Sequence, residues 1–307
     1  MVQNRKKEPI IVKRNQNYRK RMMEPYALLM PVLVLLLVVF AVPLINSFIM
    51  AFQKYRLGSP DIGFNGLDNF RKLFADDDLG LILKNTVIYV ICSVAGQFAL
   101  GLTLALALWK KFKGRGIYQS VVFLPWAFSA FVVGLMFRWS FNGEYGVVND
   151  LLMKLGVIKE NIAWLGTPGY SLFVIILAMI WIGVPFFAIM ILAALQSIPE
   201  DIYEAASIDG AGAVKKFFRI TVPYIKPTII MTLLLRTIWI LNSFDLIVVI
   251  TNGGPANYSM TLPAYMYTRA FSGYDFGFAS AIGVILMTAL MLYTLIFLKV
   301  TNYEEGM

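Results

Sequence analysis

Six long stretches of this 307-residue chain carry few or no charged side chains, and they constrain the fold more than any other feature. The first runs from Pro25 to Gln53, and its core, Leu28–Phe52, would form a helix about 37 Å long. The hydrocarbon layer of a bilayer is about 30 Å thick, so such a helix crosses it with some tilt. The stretch also exceeds the roughly 7–15 apolar residues of a signal peptide, which argues against a cleaved leader.

The other five stretches complete a prediction of six membrane-spanning helices. They are Asn85–Trp109, Ile117–Phe137, Asn161–Pro199 (most apolar from Ser171 to Leu195), Ile225–Ile250 and Phe276–Leu298. The chain is 59% hydrophobic and 15% charged, whereas soluble domains average about 45–50% apolar and about 25% charged residues. The predicted fold class is therefore an all-α integral membrane protein, and an ordinary cytosolic enzyme is excluded.

The Lys and Arg residues are spread unevenly over the predicted loops. Of the 27, 17 lie in the N-terminal tail, in the loops after spans two and four, or after the last span, and 8 lie in the other loops. Because the side richer in positive charge is cytoplasmic, both termini are predicted to be cytoplasmic. This topology, together with attraction to anionic lipid, explains the net charge of +9 without a nucleic-acid partner.

The predicted external loop 53–84 contains an acidic run, Asp76–Asp78, among turn-forming glycines and a proline. The run has two interpretations, a docking surface for another protein and a solvated connector. The loop is too short to form a domain of its own.

The chain has few of the residues that carry out catalysis or bind metals. It contains no His and a single Cys, Cys92, which excludes His-based catalytic triads, His-based metal sites and Cys-cluster zinc sites. The phosphate-binding pattern GxxxxGK[ST] does not occur, so any ATP must be bound by another chain. We therefore expect no catalytic residue, no metal site and no cofactor in this chain.

The predicted cytoplasmic loop 197–227 holds the most informative local pattern. Ser197 is predicted to cap a helix, and helix-forming residues continue to about Ile208. Gly210 and Gly212 then end that helix, because glycine readily adopts the conformation that terminates one.

A second short helix is predicted from Ala213 to Thr221. Pro223 and Pro227 are predicted to redirect the chain from this helix into span five. The expected arrangement is two short helices on the cytoplasmic face, joined by a glycine hinge that another protein can approach closely.

Span five contains two charged residues, Arg236 and Asp245, which cost free energy inside a bilayer unless they face a cavity or a partner. In a continuous helix their nine-residue separation places them on opposite sides. A sugar site needs aromatic faces and oriented polar groups. Trp239, Asn242 and Ser243 are residues of these types. The alternative is that Asp245 lies near the outer interface and that Asn242 and Ser243 hold helices together.

Other spans contribute weaker candidates for the same cavity. They are Trp181 in span four and Tyr89 and Gln97 in span two. Pro185 is predicted to kink span four, since proline removes a helical hydrogen bond.

The chain resembles a known family at several separate motifs. Glu204–Ala211 reads EAASIDGA, with Pro223 downstream, and is similar to the EAA loop of ABC importer permeases. Further matches to the sugar-importer branch of that family are Phe123-Leu124-Pro125, Asn242–Asp245, Thr251–Pro255, Thr261-Leu262-Pro263 and Tyr265-Met266-Tyr267. The resemblance covers nearly the whole chain from Tyr26 to Thr301 and is specific in combination. The chain differs from the maltose permease in lacking two extra N-terminal spans and a large external insertion.

The resemblance implies a type I ABC importer (MetI-like) permease fold in a bacterial plasma membrane. It implies an ABC transmembrane domain over residues 85–300, preceded by a basic tail 1–25, a first span 26–52 and the external loop 53–84, and followed by a C-terminal tail 301–307. The ATPase-coupling residues that it implies are Glu204, Ala205, Ala206, Asp209, Gly210, Ala211 and Pro223. The substrate-pathway candidates are Arg236, Trp239, Asn242, Ser243, Asp245 and Trp181.

The resemblance also implies partners. They are a second homologous permease subunit forming a heterodimer, a cytoplasmic ATPase dimer that binds ATP and magnesium, and an extracytoplasmic sugar-binding protein. The implied function is the transmembrane subunit of an ATP-driven importer of sugars, most naturally oligosaccharides, that works by alternating access.

Two other classes of protein fit the sequence less well. A stand-alone, ion-coupled secondary transporter would use Arg236 and Asp245 as coupling groups, but the ordered loop around Glu204 argues against it. An integral-membrane enzyme is disfavoured because the chain has no His, no clustered carboxylates within the spans and no catalytic Cys motif.

Overall fold

The computed structural model describes residues 26, 28–59, 62–110 and 112–301. These residues are almost entirely helical, apart from one short β-hairpin. Five helices are long and apolar enough to cross a membrane, and there is a sixth span if a sharply bent pair is counted as one. The predicted all-α membrane fold is confirmed, with one span broken. The predicted tail 1–25 and residues 302–307 of the C-terminal tail lie outside the described residues.

The helices are labelled α1–α12 and the strands β1 and β2, in chain order. They are α1 (Leu28–Ala51), β1 (Gln53–Lys54), β2 (Gly63–Phe64), α2 (Asp68–Phe74), α3 (Leu79–Trp109), α4 (Arg115–Ala127), α5 (Ala130–Ser140), α6 (Val147–Lys154), α7 (Tyr170–Gln196), α8 (Glu200–Ile208), α9 (Ala213–Asn242), α10 (Asp245–Ile250), α11 (Leu262–Phe271) and α12 (Phe276–Thr301). Strands β1 and β2 are antiparallel, with Gln53 opposite Phe64.

Helix α1 is a span of 24 residues that includes a π-helical turn, Leu37–Ala41. The described residues up to Met50 belong to one compact unit, and the described residues from Ala51 onwards belong to a second. Along α1 the large apolar side chains are exposed, as in Leu28 and Phe40. An exposed apolar surface of this length is stable only in a hydrocarbon environment.

The predicted third span, Ile117–Phe137, is broken instead of continuous. Helix α4 ends in a 3₁₀ turn, Leu124–Ala127, and α5 leaves it at an angle of 94°. Pro125 in that turn has no backbone N–H to donate, which removes a helical hydrogen bond and favours a break there. Ser129 then starts α5, where its Oγ accepts a hydrogen bond from the Val132 amide at 3.4 Å.

The fifth span differs from its prediction at both ends. Helix α9 begins at Ala213 and continues to Asn242, so the predicted separate helix Ala213–Thr221 is wrong. A π-helical turn, Phe217–Thr221, joins the two parts, and Pro223 and Pro227 are accommodated inside the helix instead of redirecting it.

The predicted span Ile225–Ile250 is interrupted after Asn242. Ser243 is extended, with φ −79° and ψ 127°, and α10 begins only at Asp245. The Asn242 side chain donates to the Ile238 carbonyl at 2.9 Å, and such local side-chain bonds compete with the helical pattern.

The core of the bundle lies mainly between α3 and α7, which pack along much of their length. Helix α7 contributes the fully buried side chains Ile175, Phe187, Ile191 and Leu195. The Phe187 ring packs edge-on against Phe98 of α3, with the ring centroids 5.9 Å apart. This packing fixes the two helices that also hold the polar site described below.

The acidic run after α2 connects distant parts of the chain. Asp76 accepts a hydrogen bond from the Tyr265 hydroxyl of α11, and Asp78 accepts one from the Asn257 side chain at 2.7 Å. Arg269 donates to the Tyr265 oxygen at 2.6 Å. Burial, followed by the bond to Asp76, raises the pKa of Tyr265 to about 12, so the phenol stays protonated at physiological pH. Asp76 and Asp78 therefore connect the segment after α2 to α11 and to the loop before it.

Candidate functional site

A cavity of about 300 Å³ lies where α4, α5, α7, α9 and α10 meet; we call it the Arg236 cavity. Its volume is at the lower end of the range for small-molecule sites. The lining residues are Trp126, Phe128, Ala130, Met179, Ile182, Arg236, Trp239, Ile240, Ser243, Asp245 and Leu246. The cavity therefore combines aromatic faces with one cation, one carboxylate and one hydroxyl.

Four of the six predicted pathway residues line this cavity: Arg236, Trp239, Ser243 and Asp245. The expectation that Arg236 and Asp245 lie on opposite sides is wrong. It assumed a continuous helix, whereas the chain is extended at Ser243 and α10 starts in a new direction. The break brings both charges to one cavity.

The other two candidates do not line it. Trp181 packs against aromatic neighbours, with its ring 6.3 Å from Phe128 and 6.2 Å from Phe137. The Asn242 amide donates back to its own helix, at Ile238. Trp181 therefore supports the cavity wall from behind, and Asn242 helps to end α9.

Arg236 is held in place by neutral groups. Its side chain is buried, and its Nε donates to Gln97 Oε1 at 2.6 Å. Gln97 in turn donates from Nε2 to the Met179 carbonyl at 2.7 Å. The guanidinium also lies over the Phe186 ring, 5.9 Å from its centroid, a cation–π contact. No acidic partner within salt-bridge distance is found among the described residues, so these contacts fix the orientation of Arg236 without neutralising its charge.

Gly183 of α7 makes room for this arrangement. A Cβ there would lie 2.2 Å from Gln97 Cδ and 2.3 Å from Arg236 Nη2. Real Cβ atoms do not approach so closely, so a larger residue would displace both side chains. Gln97 and Arg236 could be recognised in the sequence as polar residues within spans. Nothing in the sequence indicates that Gly183 on α7 makes room for their side chains.

Tyr89 of α3 contacts the cavity through Ser243. The two hydroxyl oxygens are 3.3 Å apart, and Tyr89 itself is fully buried. Sequence reasoning did not identify Trp126, Phe128, Met179 or Ile182 as lining residues. The motif Phe123-Leu124-Pro125 was the available signal, because the bend that it produces places Trp126 and Phe128 at the cavity.

The second part of the candidate site is α8, Glu200–Ile208, whose predicted end at Ile208 is confirmed. The expected cap at Ser197 is wrong: the Ser197 hydroxyl donates to the Ala194 carbonyl and ends α7, and α8 starts after Pro199. Gly210 has φ +75°, the left-handed conformation expected at a helix end, and the Ala211 amide donates to the Ala206 carbonyl at 2.9 Å.

The outer face of α8 is available to another molecule. Glu204, Ala205, Asp209 and Gly210 are exposed, and Ile208 is 87% exposed despite its apolar side chain. The exposed side of α8 therefore presents one apolar side chain among small and acidic residues.

The inner face of α8 is bonded to two long helices. Tyr203 Oη lies 2.7 Å from Thr221 Oγ1, in the π-helical turn of α9, and Thr221 is buried. The Tyr203 ring packs against Trp109 at the end of α3, with the centroids 5.4 Å apart. Lys216 also donates to Ser207. A displacement of α8 would therefore be transmitted to α3 and α9, the helices that carry Gln97 and Arg236.

Comparison with known proteins places this architecture in a family. Residues 97–302 match the family described as binding-protein-dependent transport system inner membrane component. The sulfoquinovosyl glycerol transport system permease protein SmoG of Agrobacterium fabrum is 36% identical over 279 residues, covering 91% of this chain and 90% of that protein. The trehalose/maltose transport system permease protein MalF of Thermococcus litoralis is 36% identical over 282 residues, covering 91% and 94%.

A solved structure has the same fold. It is a bacterial alginate ABC transporter in complex with an alginate pentasaccharide-bound periplasmic protein, and one of its chains matches with a TM-score of 0.79 at 28% identity, covering 91% of this chain and 93% of that one. The chain therefore belongs to the family of binding-protein-dependent transport system inner membrane components: it is a permease subunit of an ABC transporter and not an enzyme.

Proposed function

We propose that this chain is one permease subunit of an ATP-driven, binding-protein-dependent importer of sugars, in particular of oligosaccharides. The observation that carries the proposal is the connection, within one chain, of an exposed docking helix, α8, to a cavity suited to a sugar. Relatives named for trehalose and maltose and for sulfoquinovosyl glycerol, and a structural neighbour that transports alginate, support a carbohydrate as substrate.

The chemistry of the Arg236 cavity suits a sugar. Indole faces of Trp126 and Trp239, each about half exposed, can stack on the apolar faces of a pyranose ring. The carboxylate of Asp245 accepts hydrogen bonds from hydroxyl groups, and the guanidinium of Arg236 donates them. One positive and one negative group in the same cavity favour a polyhydroxylated ligand over a simple ion.

The proposed assembly has the partners that the family resemblance implies. A second permease subunit forms a heterodimer with this chain, a cytoplasmic ATPase dimer binds ATP and magnesium, and an external binding protein delivers the sugar. The structural neighbour with a periplasmic protein bound supports the last of these. In this proposal the chain lies in a bacterial plasma membrane with both termini in the cytoplasm, as the charge bias predicts.

The proposed coupling uses Glu204, Ala205, Ala206, Asp209, Gly210, Ala211 and Pro223, of which all but Pro223 lie on or just after α8. The ATPase moves α8 when it closes on ATP. Tyr203 transmits that movement to α3 through Trp109 and to α9 through Thr221. Because α3 and α9 also hold Gln97 and Arg236, a shift between them changes the shape of the cavity. This is a link between two elements that each have two states.

The alternative, a stand-alone secondary transporter using Arg236 and Asp245, is not favoured. The named relatives are permease components of transport systems. The exposed face of α8 has no role in a transporter that acts alone.

The proposal is tested with the complex purified from its native membranes and placed in lipid nanodiscs. ATP hydrolysis is measured with the binding protein alone and with the binding protein plus trehalose, maltose or an alginate pentasaccharide. We expect at least one sugar to raise hydrolysis. If no ATPase copurifies with this chain, the proposal is contradicted.

Replacing Asp245 with alanine should weaken transport without disturbing assembly. A hydrogen bond to a charged group contributes about 1.5–3 kcal/mol, so we expect the KM for uptake to rise by about tenfold or more. Asp150→Ala is the matched control, since Asp150 is exposed and pairs on the surface with Lys154 at 2.7 Å. Unchanged uptake kinetics in Asp245→Ala vesicles would show that the residue is structural.

Replacing Tyr203 with phenylalanine should reduce the sugar imported per ATP hydrolysed. The change removes the bond to Thr221 but keeps the ring against Trp109. A lost hydrogen bond of about 1 kcal/mol corresponds to a factor of about five in an equilibrium, so a decrease of that size is expected. Tyr224→Phe, at an exposed tyrosine of α9, is the control. The proposed link fails if both variants transport and hydrolyse like the unaltered complex.

A further inference from the structure

A second groove, of about 460 Å³, lies between α4 and α7 on the side nearer to α8; we call it the Gln196 groove. Its lining residues are Arg115, Gly116, Gln119, Phe123, Ile189, Leu192, Ala193 and Gln196. Like the Arg236 cavity it combines an aromatic ring with a cation and neutral hydrogen-bonding groups. Its volume also lies within the range of small-molecule sites.

The two sites share one face of α7. Met179 and Ile182 line the Arg236 cavity, and Ile189, Ala193 and Gln196 line the groove. With Phe186 between them, these residues follow each other at intervals of three and four, the spacing of a single helix face. From Ile182 to Ile189 the helix rises only about 10 Å.

Helix α4 also lines both sites, the groove with its N-terminal part and the cavity with its C-terminal end. Arg115, Gln119 and Phe123 face the groove, and Trp126, one turn further on, faces the cavity. Helices α4 and α7 therefore each line both the Gln196 groove and the Arg236 cavity. Such continuity is the expected geometry of a path and is not explained by two unrelated surface depressions.

A cluster of three aromatic rings lies between the two sites. The Phe186 ring lies 5.9 Å from the ring of Trp126 and 5.1 Å from that of Trp239. Phe186 is buried, at 6% exposure, whereas Ile182 and Ile189 on either side of it are partly exposed. The three rings meet at the boundary between cavity and groove.

The groove also contains an unused donor. Arg115 Nε is buried and has no hydrogen-bond partner among the residues that the structure describes. The guanidinium of Arg115 carries further N–H donors, which can bind a ligand oxygen in the groove. The side-chain amides of Gln119 and Gln196, on facing helices, can both donate to and accept from hydroxyl groups.

We propose that the Gln196 groove is a second sugar-binding station on the cytoplasmic side, separated from the Arg236 cavity by a gate of Phe186, Trp126 and Trp239. The inference rests on the proposed function, since it assumes that a sugar enters the Arg236 cavity. A sugar that passes the gate would lose its hydrogen bonds to Asp245 and Ser243 and form new ones with Gln119 and Gln196 before it leaves the protein.

The gate is tested by Phe186→Ala in the complete transporter, reconstituted in sealed vesicles loaded with the sugar that the unaltered complex imports. Without ATP, we expect sugar efflux to be about tenfold or more faster than from vesicles with the unaltered complex. This factor corresponds to an activation free energy for passage that is lower by about 1.4 kcal/mol. Phe187→Ala is the matched control, because Phe187 is the adjacent buried phenylalanine. Its ring packs against Phe98 of α3 and against the edge of Phe186, but among the described residues it does not pack against the two tryptophans of the gate. Equal efflux from Phe186→Ala and Phe187→Ala vesicles, with ATP-driven import intact, overturns the gate.

The groove is tested separately, since Phe186→Ala could fail to assemble. In a Cys92→Ser background this chain has no cysteine, and Gln196→Cys or Ala194→Cys then introduces one. During ATP-driven import, the same sugar should slow labelling at Gln196→Cys by a thiol reagent on the cytoplasmic side, but not at Ala194→Cys, which lies on another face of α7. Sugar-independent labelling at Gln196→Cys while import continues overturns the second station. Absence of any ATP-driven import would instead contradict the proposed function.

Discussion

Replacing Gly210 with valine is expected to uncouple ATP hydrolysis from sugar uptake. Gly210 has φ +75°, and a left-handed conformation costs a residue with a Cβ roughly 1–2 kcal/mol, more for a β-branched one. No atom lies within 4 Å of the position that its Cβ would take, so the effect arises from the backbone and not from a clash. The strain would be relieved by turning the end of α8, the surface proposed to dock on the ATPase. Uptake should therefore fall strongly while the ATPase keeps hydrolysing ATP.

Gly212→Val provides the matched control for this experiment. Gly212 lies two residues further along and is equally open, but its φ is −69°, which valine adopts readily. Both variants are compared by uptake per ATP hydrolysed in the reconstituted complex. If Gly210→Val transports as well as Gly212→Val, α8 does not couple the ATPase to the spans.

Replacing Arg236 with leucine is expected to reduce sugar uptake by about tenfold or more, because charged hydrogen bonds contribute about 1.5–3 kcal/mol each. Insertion into the membrane should not suffer, since removing a charge from a span lowers the cost of insertion. The variant also leaves Gln97 Oε1 without its donor at a buried position. That loss alone costs about 1–3 kcal/mol and could disturb the cavity indirectly.

A double variant separates the two effects. Arg236→Leu with Gln97→Leu removes both partners of the bond between them, which is generally far less costly than removing one. The Met179 carbonyl loses the Gln97 donor in the double variant, so Gln97→Leu alone is measured beside it. If Arg236 contacts the sugar, the double variant stays inactive although its thermal stability recovers. Recovery of uptake together with stability would mean that Arg236 only supports the fold.

The spans and α8 could be predicted because their signals are local. Charge-free length identifies a spanning helix. Helix α7 agrees within one residue at each end with the most apolar part of the fourth stretch, Ser171–Leu195, and α12 begins at the predicted Phe276. The end of α8 at Ile208 follows from Gly210, whose left-handed backbone is a property of one residue.

The cavity could be predicted only in part, because its geometry depends on breaks and on distant contacts. Pro125 and Ser243 each interrupt a span, and a count of residues per turn across Ser243 placed Asp245 on the wrong side. The bond between Gln97 and Arg236 joins residues 139 positions apart, and it needs Gly183 on a third helix. No periodicity in the sequence indicates that combination.

We propose that energy enters this chain from an ATPase bound at α8 and reaches the Arg236 cavity. The most direct measurement is uptake of a radiolabelled sugar into proteoliposomes that contain the complete complex and the loaded binding protein. We expect uptake that requires ATP on the α8 side and is unchanged by ionophores that collapse proton and sodium gradients. Uptake driven by an ion gradient in the absence of ATP would contradict it.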